Sequence, residues 1–198
     1  MRDVTSVVFV GVGGQGTILA TSIFSAGLVA AGYDVKTAEI HGLSQRGGAV
    51  NGHVRFGRIV HSPIVGDGGA DFLVAFEVVE ALRCLPFLSP SGRLIVNDLE
   101  IAPAPVLTGR MKYPEGVLPL LSAKVDTTVV DAHRIAATLG NLRTMNLVLL
   151  GALVEAANLA TIDWNAAIAA TVKKAFVDIN IAAFNAGRRV LAHRPQAA

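Results

Sequence analysis

The pattern of hydrophobic and polar positions divides the chain into short strands that alternate with helices. Continuous β-branched and apolar runs predict strands, and Ser6–Val10 is typical of a strand buried on both faces of a sheet. Val50–Phe56 alternates instead and predicts a half-exposed strand, with Asn51, His53 and Arg55 on its exposed side. Arg58–His61 would pair back with this strand through a turn at Gly57. The remaining predicted strands are Val35–Ile40, Asp71–Phe76, Arg93–Asn97 and Thr127–Val130.

Longer apolar segments between these strands predict helices. Thr17–Ala31 is apolar on most faces and stops at Gly32, which predicts a largely buried helix. Ile101–Pro119 contains four prolines and little periodicity, and it predicts a long irregular excursion. The other predicted helices are Glu77–Leu88 with a kink at Pro86 and a stop at Ser89–Gly92, Ala132–Leu139, Thr144–Leu159, and Trp164–Phe184 with Asp163 near its N-cap.

This order predicts an α/β fold with a mostly parallel, Rossmann-like sheet flanked by helices and a helical C-terminal hairpin. The 198 residues form no repeat or linker, so residues 1–198 are expected to be one domain.

Composition adds a reason to expect a partner. Hydrophobic residues make up 52% of the chain and charged residues only 16%, where roughly 25% is usual. Either the core is large for the length, or apolar surface is kept for another subunit. The net charge of +2 and the absence of a Lys/Arg run argue against a nucleic-acid partner.

Cys84 is the only cysteine, which excludes an internal disulfide and a cysteine-ligated iron–sulfur cluster within this chain. Its apolar helical context predicts a buried structural thiol. The apolar runs are too short or too interrupted to span a bilayer, and the start of the chain lacks the pattern of a signal peptide. A cytoplasmic location is therefore expected.

The first candidate site is the glycine-rich turn Gly11-Val12-Gly13-Gly14-Gln15-Gly16, followed by Thr17. It joins a predicted strand to a predicted helix, the context in which such turns bind a pyrophosphate at the helix N-terminus. Glu39, at the end of the second strand, stands near where a ribose-binding acid would lie. The alternative is that the glycines only allow close packing. The turn Gly11–Gly16 is not a P-loop, because no lysine precedes Thr17.

The second candidate site is the turn from His41 to Gly48. Ser44, Gln45 and Arg46 supply a hydroxyl, an amide and a planar cation, and Gly47-Gly48 allows backbone N–H groups to come close. That set suits a phosphate or carboxylate. The alternative is an internal salt bridge in a tight turn. Histidine side chains can titrate near neutrality, which makes His41 and His53 minor candidates, but lone histidines are more often structural. The sequence shows no catalytic triad or metal-ligand spacing.

The two turns together resemble the gamma-type domain of the 2-oxoacid:ferredoxin oxidoreductases, over nearly the whole chain. The Ser-Gln-Arg-Gly-Gly version at Ser44–Gly48 is most similar to the indolepyruvate branch of that family. Asn141–Leu150 and Asn180–Gly187 also resemble the family's C-terminal part.

The resemblance implies a non-catalytic subunit of a complex that oxidatively decarboxylates a 2-oxoacid, forms an acyl-coenzyme A and reduces ferredoxin. Thiamine diphosphate, magnesium and the 4Fe-4S clusters would belong to a larger alpha subunit. This chain would contact coenzyme A with its two turns and contribute no catalytic residue. The implied contact residues are Gly11, Gly13, Gly14, Gln15, Gly16, Thr17, Ser44, Gln45, Arg46, Gly47 and Gly48.

Two other hypotheses stay open on the residues alone. One is a free-standing dinucleotide-dependent oxidoreductase that uses Gly11–Gly16 and Glu39. The other is an assembly module whose glycine turns are purely structural. The isolated chain could also pair with a second copy of itself through the apolar surface that a partner would otherwise cover.

Overall fold

The computed structural model describes residues 4–41 and 48–192, which form a mixed sheet with helices on both faces. The order across the sheet is β2-β3-β1-β4-β5-β6. Strand β3 pairs antiparallel with β1 and β2, whereas β1, β4, β5 and β6 pair in parallel. The strands are β1 Val4–Val12, β2 Asp34–His41, β3 Ala49–Gly57, β4 Ala70–Ala75, β5 Leu88–Asn97 and β6 Asp126–Val130.

The described residues also form eight α-helices. They are α1 Thr17–Ala30, α2 Val78–Cys84, α3 Ala104–Leu107, α4 Val117–Lys124, α5 Ala132–Thr138, α6 Met145–Ala156, α7 Trp164–Thr171 and α8 Val177–Ala192.

Strand β1 is the centre of the core, and its side chains point alternately to two hydrophobic clusters. Val7 and Phe9 are fully buried in the cluster that contains α1, α6, α7 and α8. Val8 and Val10 are fully buried on the other face, in the cluster that contains α2 and α4. The two-residue repeat of a strand produces this alternation, and the prediction that Ser6–Val10 is buried on both faces is confirmed.

One predicted strand is wrong. Residues 58–61 do not form a strand, because both edges of β3 are already paired with β1 and β2. Side chains hold this segment instead. Asp34 Oδ2 accepts a hydrogen bond from the Val60 N–H at 2.8 Å, and Arg55 Nη1 donates to the Ser62 carbonyl at 3.0 Å.

The middle of the chain departs from its predicted boundaries in two places. Helix α2 ends at Cys84, a 3₁₀ turn carries Pro86, and β5 begins at Leu88. The predicted stop at Ser89–Gly92 lies inside β5, where the β4–β5 register shifts. The predicted irregular excursion contains α3 and ends within α4, since its last prolines do not prevent a helix from starting at Val117.

The predicted C-terminal hairpin is a set of three helices, because Trp164–Phe184 is interrupted after Thr171. The two parts pack on different partners. A Cβ at Gly27 of α1 would run into the ring of Trp164, whereas a Cβ at Gly187 of α8 would run into the backbone of Val148 in α6. One straight helix would not make both contacts. Asp163 caps α7 as predicted, since its Oδ1 accepts from the Ala166 N–H at 3.0 Å.

Candidate functional site

The two glycine turns meet at the carboxyl end of β1. The Gly13 N–H donates to the Gly48 carbonyl at 2.8 Å, and Val12 lies opposite Ala49 in the β1–β3 ladder. The first turn leaves β1 at the point where the second turn enters β3. Antiparallel pairing therefore brings together two motifs that are separated along the chain by a helix and a strand.

Residues 42–47 of the second turn, including Ser44, Gln45, Arg46 and Gly47, lie outside the described residues. The described flanks fix where that segment starts and ends. His41 is the last residue of β2 and pairs with Val50, and Gly48 contacts the first turn.

The first turn is held from inside by the side chain of Gln15, which is only 6% exposed. Its Oε1 accepts from the Val12 N–H at 2.7 Å, and its Nε2 donates to the Phe76 carbonyl at 2.9 Å. The Gln15 N–H donates to the Val12 carbonyl at 3.2 Å. Because its donors and its acceptor are used within the protein, Gln15 fixes the turn to the end of β4.

The glycines of this turn have two different roles. Gly14 has a φ of 102° and its Cβ would meet nothing within 4 Å, so it is a left-handed residue that borders open space. Gly16 has a φ of 79°, and its Cβ would lie 2.6 Å from Asn146 Nδ2. Gly14 thus suits close approach of a ligand, and Gly16 suits close packing of α1 on α6.

The N-terminus of α1 supplies the donors that remain. The first N–H groups of a helix have no partner within the helix and carry a partial positive charge. In this turn the Val12, Gly13 and Gln15 N–H groups are already bonded, so the groups available to an anion are those of Gly14 and of the residues that begin α1. Thr17 Oγ1 is buried and has no hydrogen-bond partner among the described residues.

A network of buried polar side chains supports the turn, and the sequence alone did not identify its members. Asn146 is 1% exposed, and its Nδ2 donates to the Gly16 carbonyl at 3.2 Å. Asn97 is fully buried, donates to the same Phe76 carbonyl as Gln15 at 3.2 Å, and accepts from the Ala132 N–H at 3.0 Å. A sequence signal could have identified both residues, because each is an asparagine beside an apolar run: Asn146 at the start of α6 and Asn97 at the end of β5.

The sequence alone also did not identify the role of Glu77, which connects the proline-rich excursion to the end of β4 through hydrogen bonds. The side chain is 1% exposed and accepts from the Glu80 N–H at 2.8 Å and from the Ile101 N–H at 3.2 Å. The Tyr113 hydroxyl donates to the same carboxylate. Burial, with this hydrogen bond as the second cause, raises the pKa of Tyr113 well above its ordinary value.

Glu39 does not lie where the dinucleotide hypothesis needs it. It stands on the edge strand β2 opposite Gly52 of β3, and Gly52 in turn stands opposite Phe9 of β1. In a dinucleotide-binding fold the strand with the ribose-binding acid is the direct neighbour of the first strand. Here β3 separates them, so Glu39 is two strand spacings, about 10 Å, from β1.

The other titratable candidates have structural environments. His53 was predicted on the exposed side of its strand but is 1% exposed, and its Nδ1 accepts from the Val65 N–H at 3.1 Å. Burial lowers the pKa of His53. Cys84 is 1% exposed, so its predicted burial is confirmed, and this burial raises the pKa of its thiol to about 11. Asp71 accepts from the Ser6 N–H at 2.8 Å and thereby supports the start of β1.

Among residues 4–41 and 48–192, no group of three or more His, Cys, Asp or Glu side chains could hold a metal ion. No helix formed by those residues is long and apolar enough to cross a membrane.

Comparison with known proteins finds a family model and relatives that all belong to one group of oxidoreductases. The family model for pyruvate ferredoxin/flavodoxin oxidoreductase matches residues 6–190. The indolepyruvate oxidoreductase subunit IorB of Archaeoglobus fulgidus is 37% identical, over 97% of this chain and 98% of its own length. The subunit of the same name from Pyrococcus horikoshii is 36% identical, over 92% of this chain and 93% of its own length.

Solved structures agree with the fold. A keto/oxoacid ferredoxin oxidoreductase gamma subunit from Geobacter sulfurreducens matches with a TM-score of 0.69 and 25% identity, over 96% of this chain and 99% of the other. A 2-oxoglutarate:ferredoxin oxidoreductase from Magnetococcus marinus, solved with 2-oxoglutarate, coenzyme A and succinyl-CoA bound, matches with a TM-score of 0.75 and 18% identity. That match covers 100% of this chain and 32% of the other. The chain belongs to the pyruvate ferredoxin/flavodoxin oxidoreductase family.

Proposed function

We propose that this chain is the beta, gamma-type subunit of an indolepyruvate ferredoxin oxidoreductase. The complex would oxidatively decarboxylate indolepyruvate or another arylpyruvate, form the acyl-coenzyme A and CO₂, and pass the electrons to ferredoxin. The near full-length similarity to IorB subunits carries the proposal. The decarboxylation itself would take place in the partner.

The proposal divides the cofactors between two chains. Thiamine diphosphate, magnesium and the 4Fe-4S clusters would be held by the large alpha subunit, which would also deliver electrons to ferredoxin. A chain with one cysteine, buried and with a raised thiol pKa, is poorly equipped to hold a cluster itself. The single cysteine also suits the reducing cytoplasm, where we place the complex.

Coenzyme A would be contacted where the two glycine turns meet. Its phosphates need N–H donors and cations. The first turn offers the N–H groups of Gly14 and of the start of α1, together with Thr17, and the second turn offers Ser44, Arg46 and the Gly47-Gly48 backbone. Gln15, Gly11, Gly13 and Gly16 would act by holding this arrangement, because their groups are bonded or packed within the protein.

The dinucleotide alternative is weaker than the coenzyme A proposal, because β3 separates Glu39 from the first turn. The assembly-module alternative remains the direct competitor, and Arg46 distinguishes the two. Separated from the alpha subunit, the chain would also form a homodimer through surface that the complex covers.

The test is kinetic. The chain is co-expressed with its large subunit, and viologen reduction is followed with indolepyruvate at varied coenzyme A concentration. Arg46→Ala is expected to raise the KM for coenzyme A about tenfold or more, as loss of a charge-assisted phosphate contact does. Arg58→Ala is the matched control, since Arg58 is an exposed arginine just beyond the opposite end of β3.

An unchanged KM for coenzyme A in an intact Arg46→Ala complex would favour the assembly module. Failure of the wild-type pair to reduce the dye with any arylpyruvate or aliphatic 2-oxoacid would contradict the proposed function itself.

A further inference from the structure

A cavity of about 470 Å³ lies between the start of α1 and the junction of α7 with α8. Ligand pockets usually measure roughly 300–1,000 Å³. Leu19, Val172 and Phe176 give it apolar walls, and Arg143 and Lys173 place two cations at it. Neither glycine turn contributes a lining residue among those described, so this is a separate place in the fold.

The break in the predicted C-terminal helix forms one wall. Val172 and Lys173 have extended backbones, with ψ angles of 156° and 139°, and a 3₁₀ turn at Lys174–Phe176 leads into α8. Phe176, at the end of this path, lines the cavity and is 49% exposed. A continuous helix from Trp164 would remove both the extended segment and the 3₁₀ turn that supply this wall.

Hydrogen bonds within the protein hold both walls in place. Asn180 is 6% exposed, and its Nδ2 donates to the Phe176 carbonyl at 2.7 Å. On the opposite wall, Thr144 Oγ1 donates to the Asn141 carbonyl at 2.8 Å, and Asn141 Oδ1 accepts from the Arg143 N–H at 3.1 Å. A site that is ordered beforehand loses less entropy when it binds.

The charges at this cavity are of one sign. Arg143 and Lys173 have no ion-pair partner within the described part of the chain, and no aspartate or glutamate is among its described lining residues. An anion would offset the repulsion between two such cations, and a guanidinium binds phosphate or carboxylate oxygens in a bidentate manner. The apolar walls would receive the uncharged part of the same ligand.

We propose that this cavity binds an aromatic anion, a small molecule that joins a flat ring to a phosphate or carboxylate group. The ring packs on Phe176, between Leu19 and Val172, and the anionic group lies against Arg143 and Lys173. A nucleotide and an aryl carboxylic acid share this chemistry. The proposal is independent of the coenzyme A contact proposed for the glycine turns.

Titration calorimetry of the full chain tests the proposal. ADP represents the nucleotides and indole-3-acetate the aryl carboxylic acids, and separate titrations with each distinguish these two kinds of ligand. At least one probe is expected to bind, and Arg143→Ala and Phe176→Ala are each expected to weaken that binding about tenfold or more. Arg110→Ala is the matched control, because Arg110 is also an exposed arginine but does not line the cavity. Arg143 and Phe176 are both exposed, so the variants are expected to fold, and their thermal unfolding curves check this.

Absence of binding by both probes would overturn the proposal. Equal binding by the Arg143→Ala and wild-type proteins would overturn it as well. If ADP binding were lost in Arg46→Ala but kept in Arg143→Ala, the anion site would be at the glycine turns. That result would support the proposed function and overturn the cavity proposal, so the two can fail separately.

Discussion

Gln15 illustrates at the scale of a single residue how a glycine-rich turn is held in shape. A turn with positive φ angles at Gly14 and Gly16 has few side chains with which to support itself. The amide of Gln15 fills its interior and joins the Val12 N–H to the Phe76 carbonyl. The turn is therefore attached to the ends of both β1 and β4.

Replacement of Gln15 tests this role. Gln15→Leu removes both side-chain hydrogen bonds and leaves the partly buried Val12 N–H and the Phe76 carbonyl each without one partner, so we expect the free energy of unfolding to fall by about 2–4 kcal/mol. Urea denaturation of the two proteins measures the difference. Ser22→Ala, which removes an exposed hydroxyl from α1, the helix that follows the turn, serves as the control and is expected to change stability by less than about 0.5 kcal/mol. A Gln15→Leu protein as stable as the wild type would contradict the supporting role.

Residue identity alone could not separate binding glycines from packing glycines. Gly14 and Gly16 look alike in the sequence, but one borders open space and the other lies against Asn146. That difference depends on α6, which is more than a hundred residues away along the chain. The same long-range dependence explains why His53 was placed on the exposed side of β3, because the Val65 segment that covers it is held there by tertiary contacts.

At the scale of elements, close helix packing depends on glycine. Helices α6 and α8 approach so closely that a Cβ at Gly151 would meet the backbone of Phe184, and one at Gly187 would meet that of Val148. Backbone cannot move aside as a flexible side-chain end can. The two helices contribute much of the hydrophobic cluster on their face of the sheet.

Gly187→Ala sets two effects of opposite sign against each other. In an unconstrained helix, alanine would stabilise by roughly 0.5–1 kcal/mol relative to glycine. Here the overlap with the Val148 backbone forces the helices apart, and we expect a net loss of about 1–3 kcal/mol in the free energy of unfolding. Thermal or urea denaturation measures it. Gly66→Ala, where a Cβ meets nothing within 4 Å, is the control and is expected to be neutral or slightly stabilising. A stabilised Gly187→Ala protein would show that the interface adapts.

The elements that the sequence predicted well are those with a strong local pattern. Each of the six strands lies where a predicted strand lies, and α1 differs from its prediction by a single terminal residue. The errors arose where pairing or packing over long distances decides the outcome. Arg58–His61 has strand-like residues but no free edge to join, and Trp164–Phe184 has helical residues but two different packing partners.

At the scale of the whole molecule, the position of β3 determines where the candidate site is. The order of strands along the chain predicts a crossover from β1 to a parallel β2, and the two are indeed parallel, but β3 lies between them. No local pattern encodes that insertion, because it depends on which edges pair. The motifs themselves were visible in the sequence, whereas their contact through Gly13 and Gly48 required the sheet order.

The stability of the whole molecule should depend on pH through His53. Burial lowers its pKa in the folded state, so the unfolded state, with a pKa of about 6.5, binds the proton first as the pH falls. The stabilisation is therefore fully present above about pH 6.5 and is lost as the pH falls towards the lowered folded-state pKa. Protonation of Nδ1 would also remove the acceptor of the Val65 N–H.

Urea denaturation between about pH 7.5 and pH 5 measures this dependence, because this range extends roughly one pH unit above and one and a half below the ordinary histidine value. His53→Asn keeps an acceptor near the Nδ1 position but does not titrate in that range, so its stability is expected to vary less with pH than that of the wild type. The exposed His133→Asn variant is the control and is expected to keep the wild-type slope. Identical slopes for all three proteins would exclude His53 as the cause.

The β1–β3 ladder constrains how this protein can change over evolution. An insertion between α1 and β2 would lengthen the chain between the two glycine motifs without moving them apart. A one-residue slip of β3 against β1 has a different effect, because it would place another residue opposite Val12 and turn the side chains of β3 to the opposite face. A change in the number of residues between the motifs would therefore leave their contact intact, whereas a change in their alignment across the ladder would not.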